Sequence, residues 1–330
     1  MPTPTQRIIV KQTGGPNVMQ LEDATLPDPG PSEIVVEHGA IGLNYIDVYF
    51  RTGLYPAPNG VPFTPGHEGA GKVLAVGGEV STLKVGDRVA YIGPLGSYAR
   101  HRIINADIAI KLPDSISDET AAAMMLKGMT ARYLLRKTYD VTADTTLLFQ
   151  AAAGGVGLMA GQWAKHLGAT VIGTAGSDEK CAIALEHGYD HCINYKTHDF
   201  AAEVARLTDG KKCDVVFDGV GQSTFEGSLD SLKPFGLFAS FGNASGAIEA
   251  FTLGILSAKG CLYVTRPTVF AHTATRALLE ETAHDLLDVV TSGAVRVPIA
   301  QRFTLNDVVE AHRTLEARKT TGATVLLPNG

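Results

Sequence analysis

The chain has 330 residues, 45% hydrophobic and 19% charged, with a formal net charge of −6. At roughly 100–200 residues per domain, this length suggests two domains, each able to bury its own core. The apolar content excludes a disordered chain, and the acidic balance argues against a protein that holds nucleic acid by bulk charge.

Glycine is in excess, at 36 of the 330 residues against a usual ~7%, without a collagen-like period, so the surplus belongs in turns and ligand loops. The four cysteines, Cys181, Cys192, Cys213 and Cys261, form no Cys-x-x-Cys pair. This speaks against both a disulfide framework and a thiolate zinc knuckle. The segment Met1-Pro-Thr-Pro-Thr-Gln-Arg7 leads into no long apolar core. It reads as lacking a signal peptide, and the expected location is cytoplasmic. One uncharged run, 145–164, is interrupted by glycines and reads as strand, loop and helix start rather than a membrane span.

Short β-branched runs at 7–10, 34–41, 71–77 and 87–92, separated by Gly14-Gly-Pro16, Pro27-Asp-Pro-Gly-Pro31 and Lys84-Val-Gly-Asp-Arg88, predict a small barrel or sandwich. An unpatterned stretch, 52–66, is a candidate binding loop. From about residue 120 the pattern changes. A helix over 119–138 precedes strand 145–150, helix 156–167, strand 170–174, helix 178–187 and strand 192–195. Helix 200–208, strand 214–218, a helix near 223–231 and strands 237–241 and 262–265 follow. Strands alternating with helices predict right-handed βαβ crossovers and a doubly wound parallel sheet. The remainder reads as helix 273–291, an extended segment 295–303, helix 305–318 and strand 323–327, its strands returning to the first domain. The expected organisation is a mainly β domain from 1–125 and 268–330, and a dinucleotide-binding domain over 126–267.

The strongest local signal is Leu147-Leu-Phe-Gln-Ala-Ala-Ala-Gly-Gly-Val-Gly157, an apolar strand running into a glycine loop that opens a helix. Such a loop lets a pyrophosphate approach the backbone and meet helix-terminal N–H groups. Ala152 stands where the first glycine of the fingerprint falls, giving A-x-G-x-x-G. The next strand ends Ile172-Gly-Thr-Ala-Gly-Ser177, without the carboxylate that would bond a ribose 2′-hydroxyl, so a 2′-phosphate is the better fit and NADPH the expected cofactor. Lys180 and Tyr195 are placed to reach that phosphate; the plainer readings are a solvated lysine and a packed tyrosine. Gly66-His-Glu-Gly-Ala-Gly71 is a second signal. His67 there can be a structural hydrogen bonder, a residue near the nicotinamide, or a metal ligand, the last lacking cysteine partners.

Together, Leu43-Asn-Tyr-Ile-Asp-Val-Tyr-Phe-Arg-Thr-Gly-Leu-Tyr55, Leu126-Lys-Gly-Met-Thr130, Ala151-Ala-Ala-Gly-Gly-Val-Gly157, Phe241-Gly-Asn243 and Leu262-Tyr-Val-Thr-Arg-Pro267 resemble the NADPH:quinone oxidoreductases. These form the zeta-crystallin-like, zinc-free branch of the medium-chain dehydrogenase/reductase superfamily, and the resemblance covers the whole chain. It implies an α/β fold, a Rossmann doubly wound parallel sheet plus a mainly β GroES-like catalytic domain. Against the zinc alcohol dehydrogenases of that superfamily, Asn44 and Lys127 stand where two catalytic-zinc ligands would be, and only His67 of the triad stands.

By resemblance, Asn44, Tyr49 and Tyr55 surround the nicotinamide and quinone pocket, with Asn44 also touching cofactor, and Lys127 and Thr130 lie beside the nicotinamide ribose. Ala153, Gly154, Gly155, Val156 and Gly157 cradle the pyrophosphate. Ser177, Lys180, Tyr195 and Arg318, or Lys319 in place of Arg318, hold the 2′-phosphate and adenosine end, while Val220, Phe241, Asn243, Val264 and Arg266 line the nicotinamide end. The implied reaction is zinc-independent reduction of a quinone by NADPH, as a hydride or one electron at a time. Tyr49, Tyr55 or Asn44 would donate a hydrogen bond to the quinone oxygen. Reduction of the activated C=C bond of 2-alkenals or enoyl thioesters is the nearer rival. AU-rich RNA binding or a crystallin-like structural role is the more distant one, and the acidic charge gives it little support. The resemblance also implies a homodimer joined through the nucleotide-binding domains near 262–266, with no membrane association.

Overall fold

The computed structural model describes residues 2–329 and divides into two units. One comprises the chain up to Leu126, Ala274–Ala283 and everything from Val297; the other comprises Lys127–Thr273 and His284–Arg296. The stretch after 267, which the sequence pattern assigns wholly to the first domain, is thus shared between the two.

In the first unit, β1 (Thr3–Val10) and β2 (Met19–Leu26) form an antiparallel ribbon. β3 (Glu33–Leu43), α1 (Tyr45–Thr52), β4 (Glu68–Val76), β5 (Arg88–Ile92), β6 (His101–Asn105) and β7 (Ala109–Lys111) follow. The chain then enters α2 (Asp118–Tyr133). Two strands near the C-terminus, β14 (Ile299–Thr304) and β15 (Ala323–Leu327), complete a seven-stranded sheet ordered β14-β15-β3-β4-β5-β7, with β6 also on β3. Its core gathers Ile8, Ile41, Leu43, Val48 and Tyr98 with Val308 and Leu315 of α10 (Val308–Glu316).

In the second unit, β8 (Thr146–Phe149), α3 (Gly155–His166), β9 (Thr170–Ala175), α4 (Asp178–Leu185), β10 (His191–Asn194), α5 (Phe200–Leu207), β11 (Cys213–Asp218), α6 (Phe225–Asp230), β12 (Leu232–Ser240), α7 (Gly254–Ala258) and β13 (Tyr263–Thr265) alternate. The six strands are all parallel, in the order β10-β9-β8-β11-β12-β13. Numbered from β8 this is 3-2-1-4-5-6, the doubly wound order whose direction reverses between β8 and β11, where ligands bind beyond the strand carboxyl ends. The predicted strands and helices of 145–265 are present.

Several elements escaped the sequence pattern. The pattern does not mark β2, β6, β7, α1, α7 or α8 (Val269–His272), while the helix expected over 273–291 is present as α9 (Arg276–Thr291). β2 is half exposed in its two-stranded ribbon and buries only Met19, so no hydrophobic alternation marks it. α1 is short, but its ends carry local signals. Asn44 and Asp47 form a reciprocal capping box, and Gly53 closes the helix at φ 85°.

Two histidines of the first unit are buried and neutral at pH 7. Burial, the main cause, pulls the pKa of His38 and of His312 down to about 4. The unfolded chain takes up protons below pH 6.5 whereas the native unit does so only near pH 4, so stability falls with pH across that window. Each histidine contributes roughly 1.4 kcal/mol of loss per pH unit. The urea midpoint of β3 and α10, followed by hydrogen exchange, is expected to drop clearly between pH 7 and pH 5; a flat profile would refute the assignment.

Candidate active site

In the second unit β8 ends at Phe149 and the chain turns through Ala151, which adopts φ 57°. Gly154 caps α3, and its N–H donates to the Ala151 carbonyl at 2.9 Å. The N–H groups of Gly155, Val156 and Gly157 begin the helix, where none has an intrahelical acceptor, and the helix dipole adds positive potential there. A Cβ on Gly157 would lie 2.4 Å from the Ala152 carbonyl, so only glycine permits this turn. At Gly154 a Cβ would meet only the Ala151 carbonyl, at 3.1 Å, and the space beyond it is open. Ala152 replaces the usual first glycine because β9 gives way: a Cβ on Gly173 would fall 2.6 Å from the Ala152 methyl.

The end of β9 assembles Ser177, Lys180 and Tyr195. The Ser177 hydroxyl caps α4 by accepting from the Lys180 N–H at 3.3 Å. The Tyr195 N–H bonds the Ala175 carbonyl at 3.1 Å, and its hydroxyl lies 2.7 Å from where a Cβ on Gly176 would stand. Tyr195 is 37% exposed, which disposes of its reading as core filler. The nearby carboxylate of Asp178 accepts from the Asn194 amide at 2.8 Å.

Val220, Phe241 and Asn243 occupy two loops beyond β11 and β12. There the Ser245 N–H donates to the Val220 carbonyl (2.7 Å) and the Phe241 N–H to the Asp218 carbonyl (2.8 Å). Val264 lies on β13, beside β12, and Arg266 just follows it. Lys127 and Thr130 are buried one turn apart on the same face of α2.

The first unit carries Asn44, Tyr49, Tyr55, His67 and Arg318. Tyr55 is edge-on to Tyr49 (5.1 Å between centroids) and to Phe50 (5.7 Å), and Phe50 lies 5.1 Å from the His67 ring. Asn44 caps α1 and its amide donates to Glu68 at 2.7 Å; the other Glu68 oxygen accepts from the Leu126 N–H at 2.6 Å. Gly42 makes room for that carboxylate, since a Cβ there would fall 2.1 Å from it. Arg318 follows α10 with φ 56°; it belongs to this unit, whereas Ser177, Lys180 and Tyr195 belong to the other.

Around these residues runs a buried network centred on Asp47. Its carboxylate accepts from the Asn44 N–H, His67 Nδ1 and the Tyr98 hydroxyl, all at 2.9 Å. Neutral His312 accepts from Arg51 at Nδ1 (3.3 Å) and faces the Tyr98 hydroxyl with Nε2 at 3.1 Å, while Arg51 pairs with Glu316 at 2.7 Å. Because the carboxylate only accepts, the proton lies on His67 Nδ1 and the Tyr98 hydroxyl points at Asp47. His312 therefore donates to Tyr98 through Nε2. Asp47, Glu68, Tyr98 and His312 were not among the sequence candidates; the Asn44-x-x-Asp47 capping pattern and the Glu beside His67 were the only signals available. Among the described residues no group of three or more His, Cys, Asp or Glu side chains is arranged to hold a metal ion, and no helix is long and apolar enough to cross a membrane.

Comparison with known proteins places the chain. The alcohol dehydrogenase GroES-like domain family matches residues 30–114, and the zinc-binding dehydrogenase family matches 155–292. A quinone oxidoreductase of Pseudomonas aeruginosa is 52% identical over 98% of this chain and 99% of its own. A 2-haloacrylate reductase of a Burkholderia species is 39% identical over 97% and 98%. The crystal structure of an Escherichia coli quinone oxidoreductase complexed with NADPH superposes with a TM-score of 0.96 at 48% identity, covering 98% of this chain and all of that one. The chain is an oxidoreductase of the quinone oxidoreductase family, in which a GroES-like domain accompanies a Rossmann dinucleotide-binding domain.

Proposed function

We propose that this protein reduces quinones with electrons from NADPH and without zinc. The observation that carries the reading is the pairing of an open glycine cradle at Gly154 with an end of β9 that bears no carboxylate over 174–177, where Ser177, Lys180 and Tyr195 gather, the acids Asp178 and Glu179 following in the first turn of α4. The cradle fits a pyrophosphate, and the β9 end fits a 2′-phosphate better than a 2′-hydroxyl. The solved relative bound to NADPH supports the same choice. Bound there, NADPH supplies the two reducing electrons, as a hydride or singly.

The work of the protein is positioning and charge stabilisation. Gly154 to Gly157 orient the pyrophosphate, and Lys180 with Ser177 and Tyr195 anchors the phosphorylated ribose. Lys127 and Thr130 serve the other ribose, and Val220, Phe241, Asn243, Val264 and Arg266 the nicotinamide end. The edge-packed Tyr49, Phe50 and Tyr55 offer an aromatic wall to a flat ring. Asn44, Tyr49 or Tyr55 donates a hydrogen bond as negative charge grows on a quinone oxygen. A quinone is electrophilic enough to need no Lewis acid. At His67 the neighbouring groups are Asp47 on Nδ1 and the Asn44 amide, one of whose hydrogens bonds Glu68, and neither supplies the thiolate or further imidazole that a zinc site would need beside Nε2. Chelator-treated, flavin-free protein is expected to oxidise NADPH with 1,4-benzoquinone at an undiminished rate; absence of turnover would overturn the proposal. An organic radical detected by EPR during turnover would establish single-electron transfer.

The 2-haloacrylate reductase relative favours one second reading, reduction of an activated C=C bond. It needs a proton delivered to carbon, and a large preference for an enone over benzoquinone would replace the first reading with this one.

The lysine is the simplest test of cofactor choice. A charge-assisted hydrogen bond is worth about 1.5–3 kcal/mol, so Lys180→Ala is expected to weaken NADPH binding roughly tenfold or more and leave NADH unchanged. Equal losses for both nucleotides would remove Lys180 from the phosphate site. A homodimer through the edge strand β13, where Tyr263 is 62% exposed, belongs to the same proposal; light scattering that shows a monomer would refute it.

A further inference from the structure

We infer that Asp218 is a positioning residue that clamps the two loops beyond β11 and β12 into one rigid ledge for the nicotinamide end of the cofactor. The inference rests on the cofactor reading above and concerns a residue to which that reading gives no part. Asp218 is the last residue of β11, on one side of the point where the strand order reverses; Gln150, just after β8, is on the other. Its carboxylate is fully buried and accepts four hydrogen bonds. The N–H groups of Val220 and Gly221 bond one oxygen at 2.7 and 3.0 Å, and the hydroxyls of Thr224 and Ser228 bond the other at 2.7 and 2.9 Å. Ser228 in turn accepts from the Gln150 amide at 3.0 Å, and the Gln150 oxygen accepts from Thr174 at 2.5 Å. The carboxylate is therefore tied to the ends of β8 and β9 as well as to its own loop.

The loop it holds is zipped to its neighbour. Beside the bonds from Phe241 and Ser245 already described, the Ala244 N–H donates to the Gly219 carbonyl (3.3 Å) and the Gln222 N–H to the Gly246 carbonyl (3.2 Å). The Ser245 hydroxyl donates to Val220 at 2.9 Å and accepts from the Ser223 N–H at 3.0 Å. Two glycines make the approach possible: a Cβ on Gly242 would lie 2.3 Å from the Gly219 carbonyl, and one on Gly221, at φ 95°, would lie 2.5 Å from the Gly246 carbonyl. Val220, Phe241 and Asn243, three of the residues assigned to the nicotinamide, all sit on this zipped pair. Burial of a carboxylate raises its pKa and is costly, and the four donors offset that cost. A tight βα turn alone can be built with backbone bonds. A buried charge satisfied to this degree under a ligand loop fixes that loop in one place before the ligand arrives.

The test compares the whole cofactor with a fragment that lacks the nicotinamide end. Affinities for NADPH and for adenosine 2′,5′-bisphosphate are measured by calorimetry, alongside kcat with benzoquinone, for the wild type, Asp218→Ala, Asp218→Asn and Thr224→Val. In Asp218→Ala the fragment affinity is expected to hold, NADPH affinity to fall, and kcat to fall roughly 100-fold, the loss typical of a small misplacement of reacting groups. Asp218→Asn keeps an oxygen for the Val220 and Gly221 N–H groups and is expected to recover most of kcat. Thr224→Val removes a single donor and is expected to show the same pattern more weakly, which keeps the test available should Asp218→Ala not fold. Variants that lose fragment and NADPH affinity in equal proportion show a merely structural role and overturn the inference, as do folded variants with unchanged kcat. A wild-type protein that binds neither ligand refutes the cofactor reading itself, and the inference with it.

Discussion

Gly154→Val is expected to abolish useful NADPH binding while leaving the fold intact. Gly154 has an extended backbone, φ −78° and ψ 170°, which any residue adopts, and a Cβ there meets only the Ala151 carbonyl at 3.1 Å. The added isopropyl group therefore projects into the open cradle, where the pyrophosphate is expected. Losing two charge-assisted hydrogen bonds at about 1.5 kcal/mol each amounts to roughly 100-fold in Kd. Gly157→Ala separates a second cause. Its methyl would meet the Ala152 and Ala151 carbonyls at 2.4 and 2.6 Å, a clash within the turn, so both binding and thermal stability are expected to fall. Titration of NADPH and thermal unfolding of the two variants check the contrast. A Gly154→Val protein that binds NADPH normally would show that the cofactor does not use this loop.

The contrast between these glycines also shows what could be read from the chain. The strand, glycine loop and helix of 145–167 were legible because an apolar run, a glycine cluster and a new periodicity follow one another locally. The absence of a carboxylate from 174–177 was legible for the same reason. Why alanine is acceptable at 152 was not, because the answer lies on another strand, at Gly173. The Asp47 network was equally invisible. Only its Asn44-x-x-Asp47 cap is local; His67, Tyr98 and His312 join it through folding, and no local pattern marks a tyrosine or a histidine as a partner of a distant carboxylate. His67 was flagged with its role open, and the structure supplies its partner. The order of the parallel strands also needed coordinates, since periodicity carries no information about which strands are neighbours.

Asp47→Ala is expected to cost the first unit about 3–5 kcal/mol, the penalty for breaking a buried, hydrogen-bonded ionic network by removing one partner. Three donors lose their acceptor at once: the Asn44 N–H, His67 Nδ1 and the Tyr98 hydroxyl. None has water to turn to, because Asn44, His67 and Tyr98 are all buried. The loss also undoes the capping box of α1, the helix that carries Tyr49 and starts at Asn44. Hydrogen exchange in peptides covering β3, α1 and β4 is expected to accelerate strongly. Asp47→Asn distinguishes charge from shape. Its amide keeps one acceptor oxygen, which can serve the Asn44 N–H and Tyr98 on the side they share. The NH₂ group then faces His67, whose Nδ1 must become an acceptor, so the imidazole proton moves to Nε2. Nitrogen-15 NMR of histidine-labelled protein reads that change directly as an exchange of the two ring-nitrogen shifts. The asparagine variant is expected to cost less than the alanine variant, about 1–3 kcal/mol, the range for buried polar groups left partly unsatisfied. Unchanged exchange rates in Asp47→Ala, or an unchanged His67 tautomer in a folded Asp47→Asn, would show that Asp47 does not govern this region. The expected outcome instead makes Asp47 the group that fixes where the Asn44 amide and the His67 ring stand, so that the polar side of the candidate quinone site is set before any substrate binds.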